Sequence, residues 1–222
     1  MGEATHLVLL SMAWLVYFIV HSFLASMKVK RWVESVYPRL MPWYRITFNL
    51  LAIILLIIPL WMVYSRPGEL LIDWTGYAQW ITHFIAVLAI AGFFWSSRYY
   101  DTGEFLGLKQ VKENVCTVED QENFHISPLH RYVRHPWYFL GLVLLWSRDM
   151  DVGFLLSAGL VTLYFVIGSR LEENKLIIYH GQVYRSYMQQ VPGLMPLPWK
   201  YLTREQTRHL LDRACEERSA AQ

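Results

Sequence analysis

Residues 50–62 carry no charged, hydroxyl or amide side chain. This run sits inside an apolar stretch from about Ile46 to Tyr64, and four more stretches stand beside it: about Leu7 to Ala25, about Ala78 to Ser96, about Trp137 to Trp146 and about Val152 to Gly168. About 20 helical residues cross a hydrocarbon layer about 30 Å thick. All but the Trp137–Trp146 stretch approach that length. That stretch is short, and with Val152–Gly168 it reads as a tight helical hairpin turning at Arg148-Asp149-Met150-Asp151. The expected fold is all-α: a polytopic membrane helix bundle of about five transmembrane helices, the last two forming the hairpin, with amphipathic helices outside the bilayer.

Composition agrees. Hydrophobic residues make up 55% of the chain and charged residues 17%, against about 25% charged in soluble domains. This excludes a disordered chain. Two cysteines, Cys116 and Cys215, exclude a disulfide scaffold. A net charge of +2 gives no footing for nucleic acid.

Charge also sets an expected orientation. With five spans, 18 of the 20 Lys and Arg residues fall on one side, leaving only Arg66 and Arg148 on the other. The positive-inside rule then puts the N-terminus outside and the C-terminus in the cytoplasm, with the bacterial inner membrane as the expected location. Residues 1–98 read as three N-terminal transmembrane helices. Residues 99–222 read as a core made of a loop, the hairpin over about 136–170, and a tail. In the tail Leu176, Tyr179, Val183, Tyr187 and Val191 recur at helical spacing, and Thr203-Arg204-Glu205-Gln206 reads as a capping box opening a last helix.

Three polar clusters could carry chemistry. The first is His130-Arg131-Tyr132-Val133-Arg134-His135-Pro136-Trp137-Tyr138. Pro136 suits the first turn of a helix, and the free N–H groups there, with Arg134, offer a site for an anionic group; a basic helix start at the inner interface is the alternative. The second is Glu172-Glu173, two acids at the end of the last span, where the helix dipole and the positive-inside rule both disfavour them. They are either a solvated pair or the holder of a cation. Together the two clusters suit a zwitterion such as an amino-acid moiety. The third places Tyr184 and Tyr187 on one helix face, as packing or as the wall of an adenine or lipid pocket. No metal site is expected. Histidines at span ends leave haem ligation as a competing class, with His21 and His135 placed on the same side.

The ordered set Arg134-His135-Pro136-x-Tyr138-x-x-Gly141, Glu172-Glu173, Gly181-x-x-Tyr184-x-x-Tyr187 and Val191-Pro192 resembles the signature of the integral membrane methyltransferases, the superfamily of isoprenylcysteine carboxyl methyltransferases and phospholipid methyltransferases. The likeness covers about residues 125–198. His21-Ser22-Phe23-Leu24-Ala25-Ser26 and Phe105-Leu106-Gly107-Leu108-Lys109-Gln110 are similar to the subgroup of methanethiol S-methyltransferase and NnrU-like proteins. Tyr99-Tyr100-Asp101-Thr102-Gly103-Glu104 departs from that pattern, as does a polar insert over 111–124 with its acidic patch Glu119, Asp120 and Glu122.

The resemblance implies S-adenosylmethionine as methyl donor, contacted by Tyr132, Val133, Arg134, His135, Tyr138 and Gly141. Glu172 or Glu173 would take its amino group, and Tyr184 and Tyr187 would flank the adenosine. Arg134 and His135 are the implied catalytic residues. Lys109 joins them as a cation able to favour a thiolate. The implied acceptor is a small thiol, ahead of a prenylated cysteine carboxylate or a lipid.

Overall fold

A computed structural model describes residues 2–118 and 126–220, with side chains through residue 215. The acidic patch at 119–122 lies outside the described residues. The helices are α1 (Glu3–Ala25), α2 (Met27–Val36), α3 (Met41–Ser65), α4 (Tyr77–Ser97), α5 (Thr102–Leu106), α6 (Leu108–Lys112), α7 (Pro136–Trp146), α8 (Val152–Gln190) and α9 (Arg204–Ala220). Two 3-10 turns (Pro38–Leu40 and Leu129–Arg131) and two short strands, β1 (Leu70–Ile72) and β2 (Met150–Asp151), complete the described elements.

Among these, α1, α3, α4 and α8 are long and apolar enough to cross a bilayer. Their outward faces are apolar: Ile19, Ile53, Trp61, Phe84 and Phe94 are each more than half exposed. Such surface is unfavourable in water by about 25 cal/mol per Å², whereas in lipid it is the ordinary exterior of a helix whose backbone bonds are all internal. The chain is thus an all-α polytopic membrane protein.

Two lengths refine the expected hairpin. Helix α7 has 11 residues, about 16 Å, and reaches only about half-way through the hydrocarbon. Helix α8 has 39 residues in two helical segments that meet at a break at Gly181, and the first segment alone is about 43 Å long. Its apolar part ends near Gly168, so the stretch from Ser169 to Gln190 projects past the membrane. Glu172 and Glu173 therefore lie within a continuing helix, not at a helix C-terminus, and the dipole argument against them does not apply.

The chain forms two compact units, divided within α8 after Val161. The first contains α1–α3, α5, α6, both strands and the start of α8. Its core holds Leu10, Trp14, Val63 and Ala158. The Trp14 indole donates to Ser157 Oγ at 2.8 Å, and the Tyr44 hydroxyl donates to the Leu24 carbonyl at 2.6 Å, tying α3 to the end of α1. The expected turn at 148–151 is in part a strand: Met150 pairs with Ile72 and Asp151 with Leu70, antiparallel. Asp151 then caps α8 by accepting from the Phe154 N–H at 2.8 Å. The Phe105–Gln110 element is two short helices broken at Gly107, whose φ of +90° ends α5. A Cβ there would lie 2.9 Å from the Ile46 backbone nitrogen, so only glycine fits.

The second unit contains α4, α7, the rest of α8 and α9. Helix α7 runs antiparallel to α8: Trp146 Nε1 donates to Thr162 Oγ1 at 3.0 Å, and Tyr138 stacks on Phe165 at 4.7 Å. On its other side the Trp137 indole donates to Ser96 Oγ, near the end of α4, at 2.9 Å. Beyond the membrane, Ile126, Val183, Tyr184, Tyr187, Val191, Leu202 and Leu210 form a water-soluble type of core. Gly181, at φ +51° and ψ −128°, interrupts α8 and shifts the helical phase. Val183, Tyr187 and Val191 are buried as the spacing predicts, but Tyr179 is exposed and Tyr184 is buried. The Thr203 capping box forms: Thr203 N–H donates to Gln206 Oε1 at 2.8 Å, and Gln206 N–H to Thr203 Oγ1 at 3.2 Å.

Candidate active site

The start of α7 and the middle of α8 bring the first two polar clusters together within the second unit. Arg134 grips Glu173: Nε lies 2.8 Å and Nη2 2.7 Å from the same carboxylate oxygen, Oε1. The remaining guanidinium nitrogen, Nη1, donates to the Met188 carbonyl at 3.0 Å and also to the Val191 carbonyl. Both side chains of the pair are about nine-tenths buried. An arginine in this setting has its fork almost fully committed to the protein.

His135 stands between the two acids. Its Nε2 is 3.1 Å from Glu173 Oε1 and its Nδ1 is 3.3 Å from Glu172 Oε2. Carboxylates only accept, so both ring nitrogens are satisfied when the ring is an imidazolium. Burial works against that charge, yet the bonds from Glu172 and Glu173 outweigh it and hold the His135 pKa above its ordinary 6.5. Burial likewise opposes the Glu173 carboxylate, but His135 and Arg134 offset it and keep its pKa below the usual 4.5. The His135 ring stacks on Tyr138 at 5.3 Å.

Glu172 differs from its neighbour. Its side chain is 45% exposed, against 10% for Glu173. Successive helical residues point about 100° apart, so one acid enters the protein while the other faces the surface. Glu172 is the carboxylate with room for a cationic ligand.

Over this cluster passes the chain after α8. Arg134 N–H donates to the Pro192 carbonyl at 2.9 Å and His135 N–H to the Gly193 carbonyl at 3.1 Å. These two groups, expected to be open for an anion, are closed by the protein itself. A Cβ on Gly193 would sit 3.3 Å from Arg134 Nη2 and 3.6 Å from Glu173 Oε1, so glycine lets the backbone lie against the ion pair.

The other named residues take varied places. Val133 is 2% exposed. Gly141 lets Phe165 approach, since its Cβ would lie 3.3 Å from that ring. Tyr132 is half-exposed and stacks on Tyr201 at 5.8 Å. Tyr184 and Tyr187 are each 3% exposed, within the outer core. Tyr187 donates its hydroxyl to the His130 carbonyl at 2.6 Å. Burial, with Glu173 nearby, raises the Tyr184 pKa. Lys109 belongs to the other unit, where it pairs with Asp101 at 3.4 Å and Glu104 at 3.6 Å. His21, the second histidine of the haem alternative, is also in that unit, against the Phe48 ring at 5.0 Å. Among the described residues no three His, Cys, Asp or Glu side chains gather as a metal site. Phe165, the Met188 carbonyl and Gly193 escape sequence reasoning, whereas Val191 and Pro192 are named with the family signature.

Charged groups gathered where a short membrane helix meets its surface, on an all-helical scaffold, define an integral membrane protein built for chemistry at the bilayer boundary. Comparison with known proteins makes this specific. The chain is 31% identical over 188 residues to the methanethiol S-methyltransferase of a Pseudomonas species, covering 79% of this chain and 68% of that protein. It is 30% identical over 204 residues to methanethiol S-methyltransferase 1 of Bradyrhizobium diazoefficiens, covering 90% and 68%. It is 28% identical over 190 residues to the Pseudomonas deceptionensis enzyme, covering 80% and 68%. The chain belongs to the methanethiol S-methyltransferase family, and it is a membrane methyltransferase. No protein-family model and no solved structure matches it.

Proposed function

We propose that this enzyme methylates the sulfur of a small thiol, methanethiol or a close analogue, with S-adenosylmethionine as donor. The acceptor follows from the names of the relatives. The donor is supported by the half-exposed Glu172 carboxylate, held by His135 above the buried Arg134–Glu173 pair, the observation that carries this reading. The half-exposed carboxylate fits the donor's ammonium group; the donor's own carboxylate finds no open partner in Arg134 or in the N–H groups of Arg134 and His135, which Glu173, Pro192 and Gly193 occupy. Glu172 takes its ammonium group, and Tyr138 and His135 form a stacked edge beside it. Arg134 and Glu173 act as positioning residues beneath, Val133 and Gly141 fix the packing of α7, and Tyr184 and Tyr187 form the floor under the adenosine. Tyr132 lines the outer rim.

When bound, S-adenosylmethionine supplies an electrophilic methyl group on its sulfonium. The protein's part is alignment and exclusion of water. The acceptor sulfur is most nucleophilic as the thiolate; His135, its two ring nitrogens held by Glu172 and Glu173, orients the Glu172 carboxylate rather than meeting that sulfur. We place this core in residues 99–222, following in sequence the helices of residues 1–98, with the N-terminus outside and the C-terminus cytoplasmic in a bacterial inner membrane. The same residues support membership of the wider isoprenylcysteine carboxyl methyltransferase superfamily.

The test is headspace gas chromatography of purified enzyme in lipid nanodiscs with S-adenosylmethionine and methanethiol. Dimethyl sulfide formed by wild type and lost in Glu172→Gln is the expected result. Methylation of a prenylcysteine or an amine lipid, with methanethiol inert, would overturn the acceptor. Absence of saturable S-adenosylmethionine binding by calorimetry would overturn the donor.

A further inference from the structure

The segment after α8 carries bulky side chains at every second position: Met195, Leu197, Trp199 and Tyr201, separated by Pro196, Pro198 and Lys200. All four are exposed, Trp199 at 76% and Met195 at 59%. Four large apolar groups in seven residues are a concentration, not the scattered exposure of an ordinary surface.

The patch is held firmly. Lys200 N–H donates to the Leu197 carbonyl at 3.0 Å and closes a turn with Pro198 and Trp199 at its tip. Before the turn, the Pro192 and Gly193 carbonyls accept from Arg134 and His135. After it, Leu202 is fully buried. Its N–H donates to the Arg131 carbonyl at 2.9 Å, and its carbonyl accepts from Arg131 Nε at 2.9 Å. Tyr201 stacks on Tyr132.

Its height relative to the membrane follows from the same unit. Helix α4 has 21 residues, about 31 Å, and so spans the hydrocarbon from end to end. Ser96, near its last turn, receives the Trp137 indole, so the start of α7 lies at the membrane surface. The loop is clasped to the two residues just before that start. Trp, Tyr and Lys are the residues that settle at the headgroup level.

We infer that residues 195–201 form a membrane anchor. Met195, Leu197 and Trp199 dip into the interface of the bilayer that α4 crosses, with Lys200 at the phosphates. The loop thereby fixes the height of Arg134 and His135 above the lipid. This holds whatever the methyl acceptor is.

The test uses the full chain with Cys116→Ser and Cys215→Ser, reconstituted in phosphatidylcholine–phosphatidylglycerol vesicles. A nitroxide is placed at Trp199→Cys or, in a second variant, Met195→Cys. Ile54→Cys serves as the lipid-facing control and Glu205→Cys as the water-facing control. Power-saturation spectroscopy reads collisions with oxygen, which partitions into lipid, and with a water-soluble nickel chelate. An oxygen-to-nickel ratio at 199 and 195 several-fold above that at 205 is expected, corresponding to a depth of about 5–10 Å. A ratio equal to that at 205 would overturn the anchor in favour of a solvated loop. Exclusion of both reagents would overturn it in favour of protein cover, by a second copy or by the loop folding back.

Discussion

Glu172 and Glu173 are adjacent in sequence and chemically identical, yet the structure gives them different surroundings, and replacing each by glutamine tests the proposed division of labour. Glu173→Gln keeps the shape and removes the charge that faces Arg134 at 2.7 and 2.8 Å. Both partners are about nine-tenths buried, so Arg134 is left as an uncompensated charge. Breaking such a pair from one side costs about 3–5 kcal/mol. At about 2–4 °C per kcal/mol for a chain of this size, the melting temperature should fall by about 6–20 °C. Glu172→Gln removes a carboxylate that is 45% exposed, where ion pairs contribute about 0–1 kcal/mol, so Tm should move by about 4 °C at most. Affinity for S-adenosylmethionine should respond instead. Losing one charged hydrogen bond, about 1.5–3 kcal/mol, weakens binding about 10- to 140-fold. Far-ultraviolet circular dichroism melts in detergent and calorimetric titration give the two readouts. Equal melting of the two variants would refute the division of labour, as would undiminished binding by a folded Glu172→Gln protein.

Several other outcomes are expected. Raising pH should weaken the fold through His135: its folded pKa lies above 6.5, so its contribution is complete below 6.5 and disappears as pH climbs through the folded value. His135→Gln should lose that slope in melts recorded from pH 6 upward (a range of about two units). Glu173 has the opposite sign: its folded pKa lies below 4.5, so its contribution is present above 4.5 and disappears as pH falls through the folded value; Glu173→Gln should flatten the acid limb. Tyr187→Phe removes the 2.6 Å bond to the part-buried His130 carbonyl and should cost about 0.5–1.5 kcal/mol, read as a lower Tm. Gly107→Ala meets both a φ of +90° and a 2.9 Å approach to Ile46; it should cost about 1–3 kcal/mol, visible in the same melts.

The long helices were legible because lipid imposes one requirement over some 20 consecutive residues, and Leu50–Met62 or Leu7–Ala25 meets it without reference to any neighbour. The Thr203 capping box was legible for the same reason, since four adjacent residues contain all of it. What could not be read depends on distant partners. Leu70–Ile72 becomes a strand because Met150 and Asp151 lie beside it, and three residues carry no period of their own. Gly181 was visible as a glycine, but its role as a break in α8 follows from the packing on either side, and that break brings Tyr184 inward while leaving Tyr179 outside. In the site, Arg134, His135, Glu172 and Glu173 were named from sequence, whereas the pairing of Arg134 with Glu173 spans 39 positions and is set by the antiparallel run of α7 on α8.

That pairing also accounts for why a charged pair occupies a place where apolar side chains of similar volume would often be as stable. An apolar patch would hold α7 and α8 together without fixing where the following chain goes. Arg134 fixes it. Its guanidinium binds the acid of α8 and the carbonyls of Met188, in that helix, and Val191, just after it, and its backbone N–H donates to the Pro192 carbonyl. The direction of each bond sets the register of the loop that crosses the site. With Glu173 consumed inside, the adjacent acid is turned about 100° outward, where it meets His135 from the surface side. If Glu172 binds the donor as proposed, the tandem pair supplies a brace and a binding group from adjacent positions of one helix. On that proposal the energetic value of the buried salt bridge lies in specificity of position more than in net stability.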